Sequence, residues 1–341
     1  MRNPLRRQDP LDISPRAKLV SYVVLILWAI VVIFPLYWIV VTSFKIPLDV
    51  ERGPFYLPFV DFQPTLQHWE TMLFDPKSDV YRPMINTVMV GLISTVIALF
   101  LGGSAAYALV RFNYNPRLGM IGLGIGTIAY VFVATALGVP WPVSVTSGIA
   151  IFLILGAAVS KRFKRAIGNS DIAFWLISQR MLPPVAVVVP IYVFYQNVGL
   201  LNNHFGLIIT YVATNLPIVI WLMRDYFSTV PIELEESAAV DGASPFRIFR
   251  SIVLPVSLPG LVATFLFVLV FAWNEYLLAV FLTGSDTRTM PLLVVAQDAT
   301  RGPQWWFMSV LVLLMILPVI VMAILLERYI SRGILVGAVK G

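Results

Sequence analysis

Apolar runs of about 20 residues recur along the chain, separated by short polar stretches, at roughly 19–43, 84–109, 118–139, 142–159, 172–196, 205–223, 259–283 and 306–327. Each is long enough to cross about 30 Å of hydrocarbon as a helix. The pattern predicts an all-α polytopic membrane bundle of about eight transmembrane helices, one membrane domain over 19–341 after a polar N-terminal segment 1–18. One polar stretch, 224–258, is longer and more structured than the rest. Thr229 and Pro231 suit a helix start, and Glu233, Glu235 and Glu236 put negative charge at its positive N-terminal dipole. Gly242 supplies a stop that tolerates positive φ, and Ser244 and Pro245 open a second helix as N-cap and first-turn proline. A helix–turn–helix elbow is expected there.

Composition strengthens the membrane reading. With 59% hydrophobic and 12% charged residues and a mean hydropathy of +0.85, the chain cannot present an ordinary soluble surface. The net charge of +6 matters through its distribution. With the N-terminus inside, seventeen Lys and Arg fall in inside segments and six in outside loops, with Arg180 in a span. By the positive-inside rule both termini are expected in the cytoplasm, and so are the elbow and the tail 328–341. The first apolar run is too long for a signal-peptide core and reads as an uncleaved helix. There is no cysteine, which excludes disulfides, thiolate metal sites and cysteine nucleophiles.

Candidate chemistry is sparse. His68 and His204 lie far apart in expected external segments without metal-ligand spacing, and read as polar loop residues. Lys161, Arg162, Lys164 and Arg165 read as a topology anchor. Gly122, Gly124 and Gly126 lack the Gly-Lys-Ser/Thr of a phosphate loop and suit close helix packing. Asn274, Glu275 and Arg180 fall inside apolar runs, so they are expected to face the bundle interior or a cavity, as solute contacts or as links between helices. No pattern of a membrane enzyme occurs. The elbow's first helix, with small Ala238 and Ala239, three carboxylates and no basic residue between Arg224 and Arg247, suits docking onto a protein better than resting on a membrane surface.

Glu236-Ser237-Ala238, then Gly242 after three residues, and Ile252, Leu254 and Pro255 beyond it, resemble the EAA loop of permease subunits of bacterial ABC importers, with Ser237 in place of an alanine. Arg180-Met181-Leu182-Pro183-Pro184, Gly199-Leu200-Leu201-Asn202, Trp273-Asn274-Glu275 and the ending Gly337-Ala338-Val339-Lys340-Gly341 are similar to carbohydrate-uptake permeases of the MalG type, over about 84–112 and 171–341. That family usually has six spans, so about 113–170 looks like a two-helix insertion, an even number that preserves topology.

The resemblance implies a type I ABC importer permease fold in the bacterial inner membrane, half of a pore for a carbohydrate or polyol-like solute. Implied partners are a second, MalF-like permease chain, two ATP-binding cassette ATPase subunits, an external solute-binding protein and membrane lipid, with no nucleic acid. No cofactor is expected on this chain; ATP and Mg belong to the ATPase partners. Glu235, Glu236, Ser237, Ala238, Ala239, Asp241 and Gly242 are the expected ATPase-coupling residues. Gly337, Lys340 and Gly341 extend that expectation to the tail, against the plainer reading of a frayed terminus. Asn274 and Glu275 are the candidate solute path. The rival class is an ion-gradient-driven secondary carrier, disfavoured by the shortage of intramembrane carboxylates and of evident repeats.

Overall fold

A computed structural model of the chain describes residues 14–162, 166–299 and 302–338. The helices are α1 (Pro15–Thr42), α2 (Pro47–Arg52), α3 (Gln67–Phe74), α4 (Tyr81–Arg111), α5 (Leu118–Ala136), α6 (Trp141–Arg162), α7 (Asn169–Ser178), α8 (Pro184–Val198) and α9 (His204–Thr229). They continue as α10 (Glu233–Val240), α11 (Pro245–Ile248), α12 (Leu254–Val256), α13 (Leu258–Trp273), α14 (Leu277–Leu282), α15 (Met290–Val295) and α16 (Trp305–Ala338). Among the described residues five helices are long and apolar enough to cross a membrane: α1, α4, α5, α9 and the Trp305–Tyr329 part of α16. Two bent pairs, α7 with α8 and Pro245–Val256 with α13, raise that to as many as seven, and Trp141–Gly156 is a shorter apolar helix.

Two of the expected spans, 172–196 and 259–283, are interrupted. Over 172–196 the helix stops at a 3-10 turn, Gln179–Met181, and α8 leaves at 89°. Leu182 and Pro183 are extended there, because a residue before proline is pushed out of the α region, as Leu182 and Pro183 both are. Over 259–283 the helix ends at Trp273 and restarts at Leu277, leaving Asn274 and Glu275 in the gap.

The chain divides into two compact units, 1–78 with 297–314 and 79–296 with 315–341. In the first, Ser14 caps α1 by accepting from the Ala17 N–H at 3.3 Å, and apolar side chains from Leu19 to Leu36 stand exposed, as a lipid-facing helix requires. The segment after α1 is tied together by buried polar groups. Lys45 Nζ donates to the Phe55 carbonyl, Trp69 Nε1 donates to Ser43 Oγ at 3.2 Å, and His68 Nε2 donates to the Lys45 carbonyl at 3.0 Å. His68, expected as a loop residue, is instead buried, its ring edge-on to Phe307 at 5.1 Å.

In the second unit α4 and α9 pack along their lengths through small residues. Val90, Ala98 and Ala106 of α4 are fully buried, and Gly102 sits where a Cβ would come within 2.6 Å of Val219 Cγ1. At their N-terminal ends His204 Nε2 donates to Asn86 Oδ1 at 2.8 Å, and at their C-terminal ends Arg111 bonds the Val230 carbonyl, so the two helices run parallel. Helices α5 and α6 pair with each other: a Cβ at Gly124 would touch Phe152 and one at Gly148 would crowd Val131, while at Gly122 and Gly126, expected at a packing face, a Cβ would meet nothing within 4 Å. The pair is closed at its base, where the Ile167 N–H donates to the Pro116 carbonyl at 3.1 Å. Just beyond, Asn169 Nδ2 donates to the Leu109 and Phe112 carbonyls at 2.7 and 2.6 Å.

Candidate functional site

The elbow forms at the C-terminal ends of α4 and α9. Thr229, expected to start its first helix, instead closes α9, its hydroxyl donating to the Tyr226 carbonyl at 2.7 Å. Its helix α10 carries Glu233, Glu235 and Glu236 in the first turn, favourable at a positive helix end. Gly242 ends it with φ of 81°; its N–H donates to the Ala239 carbonyl and the Ala243 N–H to the Ala238 carbonyl, both at 3.0 Å. These two bonds are those of a Schellman stop, which satisfies orphan carbonyls. Ser244 then caps α11, accepting from the Arg247 N–H, with Pro245 at the first position.

Inward-facing residues lock the elbow down. Ala238, Ala243, Ile248, Phe249 and Val253 pack on a core cluster that includes Tyr107 of α4 and Phe227 of α9. The Tyr107 and Phe249 rings lie 4.6 Å apart and Phe227 stands edge-on to both, within the favourable range for aromatic pairs. The Glu235 carboxylate is buried: Oε2 accepts from the Tyr107 hydroxyl and Oε1 from Arg111 Nε, each at 2.7 Å. The outward face holds Glu236, Ser237, Ala239, Asp241 and Gly242, all exposed. The expected coupling residues therefore divide by side: Glu235 and Ala238 point into their own chain, the other five away from it.

Val240 and Phe246, either side of the turn, are 88% and 71% exposed and are absent from the sequence expectation. The available signal was an apolar residue flanking each side of a glycine stop in an otherwise acidic and polar loop. Exposed apolar side chains grouped on a tip mark an interaction surface.

The other candidates lie apart, at the far end of the 16-residue α13. Asn274 is exposed and its amide donates to the Val270 carbonyl at 2.8 Å. Glu275 Oε1 accepts from the Leu278 N–H at 2.9 Å, capping α14, while its carbonyl accepts from the Tyr211 hydroxyl at 3.2 Å. Broken helices leave unsatisfied backbone groups that polar residues must serve, which accounts for a carboxylate in this apolar run. Arg180, at the 3-10 turn, donates to Asn215 Oδ1 at 2.8 Å and lies over the Phe271 ring at 5.2 Å. Asn215 is near the middle of the 26-residue α9, so this guanidinium sits well away from either end of that helix. Gly337 belongs to α16; Lys340 and Gly341 lie outside the described residues. Among the described residues no group of three His, Asp or Glu is placed to hold a metal ion.

Residues 127–336 match the family model described as the binding-protein-dependent transport system inner membrane component. The chain belongs to this family. A probable ABC transporter permease protein of Sinorhizobium fredii is 30% identical over 312 residues, 92% of each chain. The trehalose/maltose transport system permease protein MalG of Thermococcus litoralis is 27% identical over 93% of this chain and 94% of its own. The inner membrane ABC transporter permease protein YcjP of Escherichia coli is 29% identical over 94% of this chain and 95% of its own. A crystal structure of a bacterial ABC transporter involved in import of the acidic polysaccharide alginate superposes with a TM-score of 0.58 at 20% identity, covering 93% of this chain and 98% of that one, which establishes the shared fold. The permease is thus an all-α, multi-pass inner-membrane protein of the ABC importer class, a transport component like its relatives rather than an enzyme.

Proposed function

We propose that this permease forms half of the translocation path for a carbohydrate or polyol-like solute and is driven through its elbow by ATP-binding cassette subunits, which carry the ATP and Mg. The observation that carries this reading is the two-sided elbow: one face is bolted to α4 and α9, and the other offers Glu236, Ser237, Ala239, Asp241 and Gly242 with Val240 and Phe246 standing out of the tip. An acidic surface with protruding apolar side chains fits a cleft on a soluble protein. The positive-inside count supports a cytoplasmic elbow, where ATPase subunits work. The other partners of this assembly are a second, MalF-like permease chain and an external solute-binding protein; named relatives such as the trehalose/maltose permease MalG support a sugar as cargo.

For the path itself, Asn274 and Glu275 in the α13–α14 gap, with Arg180, supply donors and acceptors for hydroxyl groups. A lipid-facing arginine at mid-span costs about 2.5–3.5 kcal/mol on insertion scales, which favours a water-filled path or the second permease as its neighbour. The tail around Gly337, Lys340 and Gly341 is a further candidate contact with the ATPase pair.

The test is reconstitution of the assembled transporter in liposomes with a screen of labelled sugars for ATP-dependent uptake. Val240→Glu, at a fully projecting position, is expected to insert normally and to lose ATPase co-purification and uptake together. Wild-type association in that variant would remove the elbow from the ATPase interface.

A further inference from the structure

Glu235 and Glu236 are adjacent acidic residues, yet the structure gives them opposite surroundings, and the buried one is held by more than a single ion pair. Tyr107 and Arg111 are four residues apart in the last turn of α4 and so present their side chains to the same side. Together they occupy both oxygens of the Glu235 carboxylate, at 2.7 Å each. Arg111 has donors to spare: Nη2 donates to the Val230 carbonyl at 2.9 Å and the Phe227 carbonyl at 3.4 Å, at the end of α9 where carbonyls lack helical partners. One planar guanidinium therefore joins the ends of α4 and α9 and the first turn of α10. A lysine could not span this set, having a point charge instead of a fork of fixed donors. The Arg111 and Glu235 side chains are 13% and 10% exposed, so water does not compete for these bonds.

The covalent connections make the arrangement asymmetric. Helix α10 follows α9 after a three-residue link, Val230 to Ile232, whereas α4 lies 124 residues away from Glu235 in sequence. Apolar packing alone would let α4 slide against the elbow; directional hydrogen bonds to a buried carboxylate do not. A buried ion pair is weak evidence of a stabilising purpose, since apolar replacements are often as stable; what it supplies is a fixed orientation.

We propose that Arg111, with Tyr107, is a positioning residue that clamps the elbow through Glu235, so that a displacement of α10 is delivered to α4 and α9 together. This rests on the elbow being the ATPase-docking element. In the assembled, reconstituted transporter, Arg111→Gln and Glu235→Gln are expected to keep ATPase co-purification and to lower solute uptake per ATP hydrolysed by about 5-fold to 150-fold, the usual span of coupling between sites. The double variant is expected to lose less than the sum of the two single losses, because the two share the Arg111–Glu235 bond. A wild-type uptake-to-ATP ratio in Arg111→Gln overturns the proposal. So does loss of ATPase association in Glu235→Gln while Arg111→Gln retains it, since Glu235 would then act at the interface. Should Arg111→Gln fail to assemble, Tyr107→Phe, which removes one hydrogen bond and keeps the ring, decides: a partial drop in the ratio is expected, and an unchanged ratio overturns the clamp. Normal ATPase association in Val240→Glu would instead sink the docking reading, leaving these outcomes separable.

Discussion

Single side chains here do work that their residue types alone do not announce. His68 is an example. Burial against Phe307 and Trp306 disfavours its charged form and lowers its pKa from the usual 6.5, outweighing the opposite pull of its Nε2–H bond to the Lys45 carbonyl. Above that value the ring is neutral whether the segment is folded or not. As pH falls below 6.5, the unfolded segment takes up a proton that the folded one resists, so stability is lost until the depressed folded pKa is passed. Amide exchange over 44–72, corrected for intrinsic rate, is expected to show less protection at about pH 5.5 than at about pH 7.5, and His68→Leu is expected to remove most of that difference. Equal protection at both values would refute the assignment. In the sequence His68 reads as a polar loop residue because nothing in its neighbourhood signals burial; the rings that cover it come from the start of α16, more than two hundred residues on. The split between Glu235 and Glu236 was equally invisible, since it depends on a tyrosine and an arginine at the end of another helix.

At the scale of elements, long apolar runs were legible, and so was a break at Pro183 and Pro184, but the geometry of the interruptions was not. Helices α1, α4, α5, α6, α9 and α16 fall where hydropathy puts them, because the bilayer sets their length. The Gly242 stop, the Ser244 cap and Pro245 were legible too, being local backbone chemistry. The 89° turn between α7 and α8 was not: Pro183 and Pro184 announce a break, but the direction of departure comes from packing. Close packing also decides the cost of one change in the α4–α9 contact. Gly102→Ala places a methyl group 2.6 Å from Val219 Cγ1 and 2.8 Å from its Cβ, atoms on a stiff side chain that cannot swing away. Overpacking of this kind costs about 1–3 kcal/mol. A lowered unfolding midpoint in detergent is expected, with only partial recovery in Gly102→Ala with Val219→Ala, which removes Cγ1 but keeps the Cβ at 2.8 Å; a midpoint unchanged in the single variant would mean the helices separate freely.

For the molecule as a whole, the parallel course of α4 and α9 in a membrane demands an odd number of crossings between them, which α5, the shorter α6 and the bent α7–α8 pair would meet as three. Removing α5 and α6 together leaves one and keeps α9 and the elbow on their side. Deletion of 117–166, joining Pro116 to Ile167, is therefore expected to leave a C-terminal reporter facing the same compartment. Reversed reporter orientation would show that the pair does not cross as two spans. The base of this pair carries a consequence of its own. Because Pro116 and Ile167 already touch and Asn169 is fastened to the end of α4, the chain beyond returns to nearly the point it left. A detour with coincident entrance and exit exerts no tension along the chain that carries it, so what holds the hairpin to the bundle is side-chain packing, such as Phe132 of α5 against Phe194 of α8 at 4.6 Å.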